Sequence, residues 1–177
     1  MEKKNKVFVV TSIDGYIADK EGGIEWLQAI PNPDNLDMGY SEFMSQVDAL
    51  VMGRNTFETV CGFDMDWPCQ KPVFVLSNQL TTIPAAYQDK VTLVKGALTD
   101  IIEGIYRKEC YSLYIDGVTA IQNFLKEDLI DEITITTSPI ILGSRIPSFS
   151  ELVNPLHFEC VKSKIYLKKL VKINSND

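Results

Sequence analysis

Histidine and closely spaced cysteines are scarce in this chain. Its 177 residues include one histidine, His157, and four scattered cysteines, Cys61, Cys69, Cys110 and Cys160. No CxxC pair occurs, so a Cys/His zinc site lacks ligands and no metal is expected. A disulfide framework would be unusual at this length and spacing, and the thiols read as reduced in a cytoplasmic protein. No stretch approaches the ~20 apolar residues of a membrane span. The apolar run Val7 to Val10, behind the basic N-terminal residues, is too short for the core of a signal peptide. Positive charge is in deficit, with 17 Lys+Arg against 24 Asp+Glu and a net charge of −7. That balance lacks the footprint of a general nucleic-acid binder, yet leaves room for a local basic pocket around a phosphorylated ligand. The GxSxG, HExxH, Walker A and GxGxxG signatures are also missing. With 45% hydrophobic and 23% charged residues, the composition is that of a globular protein. A chain this long buries roughly 70% of its unfolded surface without staples, and a single domain over residues 1–177 is expected.

Short β-branched runs alternate with helical stretches, without repeats or low-complexity tracts. Lys6 to Ile13, Asp48 to Gly53, Pro72 to Ser77, Val91 to Val94, Tyr111 to Ile115 and Leu129 to Thr137 read as strands. Asp14 to Gly23 carries Asp-Gly and Gly-Gly turn signals and reads as loop. Leu36, Tyr40, Phe43, Met44 and Val47 follow spacings of 4, 3, 1 and 3, which predicts an amphipathic helix over 36–47. Asn55 to Cys61 reads as a helix with Asn55 as N-cap, Glu58 completing a capping box and Gly62 ending it. Leu98 to Lys108 and Thr119 to Lys126 are further helices. Phe158 to Ile173 alternates as one or two antiparallel strands. The series predicts an α/β fold with a mostly parallel central sheet flanked by helices and antiparallel C-terminal edge strands.

Open α/β sheets bind ligands beyond the C-terminal ends of their strands. At the first such end, Gly53-Arg54-Asn55-Thr56 joins a buried strand directly to a helix. Unpaired helix N–H groups, a close glycine backbone and a guanidinium suit a phosphate there, and an ordinary turn with a solvated arginine is the alternative. Ser77-Asn78 offers hydroxyl and amide donors or a plain ST or Asx turn. Lys95-Gly96 offers a cation that is otherwise a surface charge. Ile115-Asp116-Gly117-Val118-Thr119 repeats the strand-to-helix pattern, with Asp116 read as a cap while the N–H groups of Gly117 and Val118 face a ligand. Together these ends suit a ligand with several phosphates, such as a dinucleotide. Asp37 and Trp26 are the candidates on the substrate side, against a helix-dipole role for the first and packing for the second.

The pieces TSIDGYIA (11–18), DALVMGRNTF (48–57), VFVLSN (73–78), VTLVKG (91–96), YIDG (114–117), LIDEI (129–133) and PIILG (139–143) occur in this order. In that series the chain resembles the dihydrofolate reductase superfamily, in particular the reductase branch of riboflavin biosynthesis, over roughly Val7 to Tyr166. Met-Gly-Arg-x-Thr is the most specific piece. The resemblance implies an NADPH-dependent reductase. Gly53, Arg54, Asn55 and Thr56 would line the adenosine-side phosphates. Ser77 and Asn78 would sit by the 2′-phosphate, with Lys95 near it. Asp116, Gly117, Val118 and Thr119 would hold the pyrophosphate on a helix N-terminus, with Ile115 also among the cofactor residues. Ser12 and Ile17 would flank the nicotinamide under a lid formed by residues 14–23.

Asp37 corresponds by spacing to the acidic residue that orients or protonates substrate, a catalytic candidate. Val118 and Arg145 depart from the family pattern, where glycine is usual at both. The implied reaction reduces the ribosyl group of a pyrimidine phosphate to ribityl. No deaminase zinc motif accompanies it, so the chain reads as the reductase half alone. A dihydrofolate or pteridine reductase is the second reading. A non-catalytic nucleotide-binding protein on the same fold is a third. The expected partners are a small heterocyclic substrate and a second copy of the chain in a homodimer, with no nucleic acid and no membrane.

Overall fold

The run KNKVFVVTS forms β1 (Lys4–Ser12), in which Asn5 to Val9 are all buried. A strand buried on both faces belongs in the middle of a parallel sheet. Five more strands join it: β3 (Ala49–Gly53), β4 (Val73–Leu76), β5 (Val91–Val94), β6 (Ser112–Asp116) and β7 (Glu132–Ser138). Their order is β5-β4-β3-β6-β1-β7, and every pairing is parallel. A separate antiparallel pair joins β2 (Tyr16–Ala18) to β8 (Ile146–Pro147). The structure is a computed structural model and describes residues 2–27, 37–63, 66–149 and 151–163.

Alternation along the strands divides the core between two faces. Val7, Val9, Ala49, Val51, Leu113 and Ile115 meet α3 (Leu98–Tyr106) and α4 (Val118–Lys126). Phe8, Leu50, Met52, Val73, Val75 and Tyr114 meet α1 (Tyr40–Ser45) and α2 (Arg54–Cys61). On the second face Phe8, Phe43 and Tyr114 pack tilted and edge-on at centroid distances of 5.1 and 5.0 Å, the arrangement that aromatic quadrupoles favour.

Several local expectations are corrected. The helix over 36–47 is shorter, because Met38 (φ 53) and Gly39 (φ 90) adopt left-handed backbone and α1 starts only at Tyr40; Leu36 lies outside the described residues. Strand β7 starts at Glu132, after Asp128 takes a φ of 55 and the Leu129 N–H turns back to the Phe124 carbonyl. The loop 14–23 contains β2. Antiparallel pairing falls between β2 and β8. Residues 158–163 carry no strand, and 164–173 lie outside the described residues.

Below β1, Lys6 is 7% exposed. Its Nζ lies 3.0 Å from Glu132 Oε2 and donates to Gln46 Oε1 at 3.3 Å, while Lys4 Nζ holds Glu132 Oε1 at 2.7 Å. The hydrogen bond from Lys4, followed by that from Lys6, keeps the Glu132 carboxyl below its ordinary value of 4.5. A depressed carboxylate stabilises the fold above its unfolded pKa, and that contribution is lost as pH falls through the folded value. Glu132→Gln is therefore expected to lower the urea midpoint near neutral pH and to flatten its decline below about pH 4.5. An unchanged acid limb in urea titrations would contradict this.

Candidate functional site

Strand register brings the predicted site residues to one edge. Gly53 pairs with Leu76, and Leu76 with Val94, in a single row, while Asp116 pairs with Met52 one step below. The next residues, Arg54, Ser77, Lys95 and Gly117, therefore emerge side by side from β3, β4, β5 and β6. Helices start here without side-chain caps. The N-cap residues are Gly53 for α2, Ala97 for α3 and Gly117 for α4, and none makes a side-chain cap hydrogen bond. Three sets of first-turn N–H groups and three helix dipoles thus converge on the same rim, an environment suited to anions.

The capping box expected over Asn55 and Glu58 does not form. Arg54 is already helical, so Asn55 lies inside the first turn and its carbonyl accepts from Thr59 Oγ1. Glu58 instead meets Arg54 at i,i+4, with Nη1 to Oε1 at 3.2 Å. That contact uses one of the five guanidinium donors and leaves the others for a ligand. Thr56, in the first turn of α2, lies against the start of α4: a Cβ on Gly117 would overlap Thr56 Oγ1. Gly117 itself has φ 89, a conformation that a side chain disfavours. Val118 is the first residue of α4, so the branched side chain escapes the positive φ and glycine is needed one position earlier.

Beyond the ends of β4 and β5 opens a cavity of about 350 Å³, lined by Ser77, Asn78, Lys95, Gly96, Asn123 and Lys126 among others. Ser77 Oγ accepts hydrogen bonds from the N–H groups of Gln79 and Leu80 at 3.2 and 2.9 Å. The ST turn forms, and the hydroxyl hydrogen remains available once both lone pairs are occupied. Asn123 and Lys126 were not legible as site residues. They lie on α4 rather than at a strand end, and line the cavity from that helix.

Ser12 and Ile17 reach the neighbouring part of the rim. Ser12 is buried, and its hydroxyl is engaged internally, donating to Asp14 Oδ1 at 2.6 Å and accepting from the Tyr16 N–H at 2.9 Å. Asp14 in turn accepts from the N–H groups of Leu142 and Gly143 at 3.1 and 2.8 Å, tying the loop after β1 to the segment before β8. Ile17 packs on the α3/α4 side of the core. Trp26 is partly buried, and its indole N–H has no hydrogen-bond partner among the described residues.

Two carboxylates flank the start of α1 and differ in character. Asp37 is exposed and accepts from the Gly39 and Ser41 N–H groups, both at 2.9 Å. Hydrogen bonds from Ser41 and then from the Gly39 N–H hold its carboxyl down at about 2. Asp116 shares the strand face of Tyr114. Its Oδ1 accepts from the Gly117 N–H at 2.8 Å and the Tyr114 hydroxyl at 3.3 Å. Burial nonetheless pushes its carboxyl up. Its charge also helps raise Tyr40, and it reinforces the effect of burial on Cys69, which stands at about 11. The expected helix cap is thus a single bond to Gly117, the N-cap residue itself, and the carboxylate faces Tyr40 and Cys69.

Comparison with known proteins places the chain in a family and a fold. A family model described as the RibD C-terminal domain matches residues 5–172. The uncharacterized protein YwjB of Bacillus subtilis is 35% identical over 157 residues, covering 87% of each chain. A candidate riboflavin biosynthesis protein of Shewanella sp. PV-4 has a crystal structure 56% identical to this chain, with a TM-score of 0.87 and 92% of each chain covered. A Thermotoga maritima diaminohydroxyphosphoribosylaminopyrimidine deaminase/5-amino-6-(5-phosphoribosylamino)uracil reductase is 16% identical with a TM-score of 0.68, covering 91% of this chain and 53% of that one. Enterococcus faecalis dihydrofolate reductase, complexed with NADP(H), is 17% identical with a TM-score of 0.56, covering 85% of this chain and 79% of that one. At these low identities the last two show the dihydrofolate reductase-like fold.

Proposed function

Since the chain belongs to the RibD C-terminal domain family, we propose that it is an NADPH-dependent reductase of the riboflavin-biosynthesis type, passing hydride to a ribosylated pyrimidine phosphate. The observation that carries this reading is the row of Arg54, Ser77, Lys95 and Gly117 along one rim, fronted by three uncapped helix N-termini. The residues present fit such a cofactor. The close approach of Gly117 and Thr56 brings the N–H groups of α2 and α4 together where a pyrophosphate needs donors. Gly53, Arg54, Asn55 and Thr56 serve the phosphates from the α2 side; Asp116, Gly117, Val118 and Thr119 form the facing wall, with Ile115 fully buried behind it. Ser77, Asn78 and Lys95 serve the 2′-phosphate in the cavity beyond β4 and β5.

The nicotinamide supplies hydride when bound. This chain's own contribution is position and a proton. Ser12, locked between Asp14 and Tyr16, fixes the floor on which Ile17 and the loop after β1 close over the reacting ring. The indole N–H of Trp26, without a partner among the described residues, and the ionised Asp37 orient the heterocycle. A carboxyl held near 2 remains ionised and suits orientation; Asp116, pushed upwards by burial, is the carboxyl better suited to hold a proton. Holding the two reactants in line is worth up to about 7–11 kcal/mol in favourable cases.

The same reading makes the chain one cytoplasmic reductase domain, paired into a homodimer. Thermal unfolding with added cofactor tests it. At about 100 times Kd, NADPH should stabilise the fold by about 2.7 kcal/mol, with NADH giving less at equal concentration. Light scattering on the same sample should report two chains. Absence of any shift with either cofactor removes the reductase reading, and a monomer mass removes the dimer.

A further inference from the structure

We propose that Lys126, on the last turn of α4, is a specificity-determining residue that selects a ribose carrying a 2′-phosphate, with Glu127 beside it as an opposing charge. The inference rests on the NADPH reading and adds to it a residue from a different element. Lys126 and Lys95 line the same cavity from different elements, one from α4 and one from the end of β5. Neither is engaged in an ion pair among the described residues; the cations so engaged are Lys3, Lys4, Lys6, Arg54 and Lys162. Ser77, on the same wall, is left as a pure hydroxyl donor because two backbone N–H groups occupy its acceptor side.

Two ammonium groups and a donor-only hydroxyl around one open space complement a phosphate dianion and offer little to an uncharged 2′-hydroxyl. Glu127 lines the cavity as well. It opposes an anion there and sets how strongly the two forms of the ribose are discriminated. Helix α4 thus serves both ends of the ligand: its first turn faces the pyrophosphate, and Lys126 stands eight residues on, about 12 Å along the axis. A cation at a helix C-terminus also complements the helix dipole. That role alone would change unfolding temperature and leave ligand selectivity untouched, which separates the two.

The experiment is calorimetric titration of wild type, Lys126→Ala and Glu127→Gln with NADPH, NADH, adenosine 2′,5′-bisphosphate and AMP. Lys126→Ala should weaken NADPH and the bisphosphate roughly three- to tenfold while NADH and AMP change less than about twofold. Glu127→Gln should shift the phosphorylated pair the other way, towards tighter binding. Both shifts should shrink as salt rises. Equal weakening of all four ligands, or no change with either variant while wild type binds NADPH, overturns the role of Lys126 and leaves the reductase reading standing. Wild type that binds neither NADPH nor the bisphosphate overturns that reading and this inference together.

Discussion

Gly117→Ala is expected to abolish the thermal shift produced by NADPH and to lower the unfolding temperature of the protein without ligand. Two effects combine. The residue has φ 89 and ψ 139, a region almost confined to glycine, where a side chain costs on the order of 1–3 kcal/mol. Its Cβ would also overlap Thr56 Oγ1 in the first turn of α2, so α2 and α4 must move apart. That displacement separates the two sets of N–H groups proposed to hold the pyrophosphate. Adding Thr56→Ala removes the overlapping oxygen and leaves Thr56 Cβ 3.3 Å from the new methyl, so the double variant should recover part of the stability and keep the backbone penalty. The two changes share a contact and should be markedly non-additive. Gly104→Ala is the control: it lies within α3, and its Cβ would meet only Arg107 Nη2 at 3.7 Å, so it should gain roughly 0.5–1 kcal/mol of helix propensity. Denaturant titrations of wild type, Gly117→Ala, Thr56→Ala, the double variant and Gly104→Ala decide the matter. Simple additivity, or a normal NADPH shift in Gly117→Ala, would show that the junction is not under constraint.

Much of this arrangement was legible in the sequence because it depends on strand ends. A β-branched run stopped by Gly53 or by Asp116-Gly117 marks where a buried strand gives way to a helix, and parallel strands put all such stops on one edge. The parallel order places the ends of β5, β4, β3 and β6 next to one another, so four weak local signals fall on one rim. Details governed by backbone conformation or by packing between distant segments were harder to read. The late start of α1 follows from left-handed Met38 and Gly39, which apolar periodicity does not encode. Glu58 had two partners at helical spacing, the Asn55 backbone and the Arg54 guanidinium, and charge attraction won. The pairing of β8 with β2 joins segments more than a hundred residues apart, and Ile146–Pro147 is too short to show alternation. Lys126 lines the cavity from α4 and Tyr40 stands near Asp116 from the start of α1, and neither lies at a strand end.

Asp116→Asn is expected to separate proton supply from ligand binding. Reducing a ribosyl group requires one proton for each hydride delivered, and removing a positioned donor typically lowers the rate by about 10²–10⁴. Asparagine retains the shape and an oxygen that accepts from the Gly117 N–H and the Tyr114 hydroxyl, so NADPH affinity should stay close to wild type while kcat falls. The pH dependence follows from burial, which raises the Asp116 carboxyl above its ordinary 3.8. Activity that requires the protonated form declines as pH rises through that raised value, and this limb should vanish in the asparagine variant. The substitution should move stability in the opposite direction to activity. A carboxyl with a raised folded pKa favours the fold below its unfolded value, and that advantage is lost as pH climbs through the folded one. Near neutral pH the variant should therefore be at least as stable as wild type, having replaced a buried charge with a neutral amide. Asp37→Asn provides the contrast: it weakens an ionised cap on the start of α1, so its effect should fall on stability and substrate KM, with the shape of the pH–rate profile retained. Full kcat in Asp116→Asn, or a pH limb that survives it, would exclude Asp116 as the proton source and return that role to a group on the far side of the reacting ring.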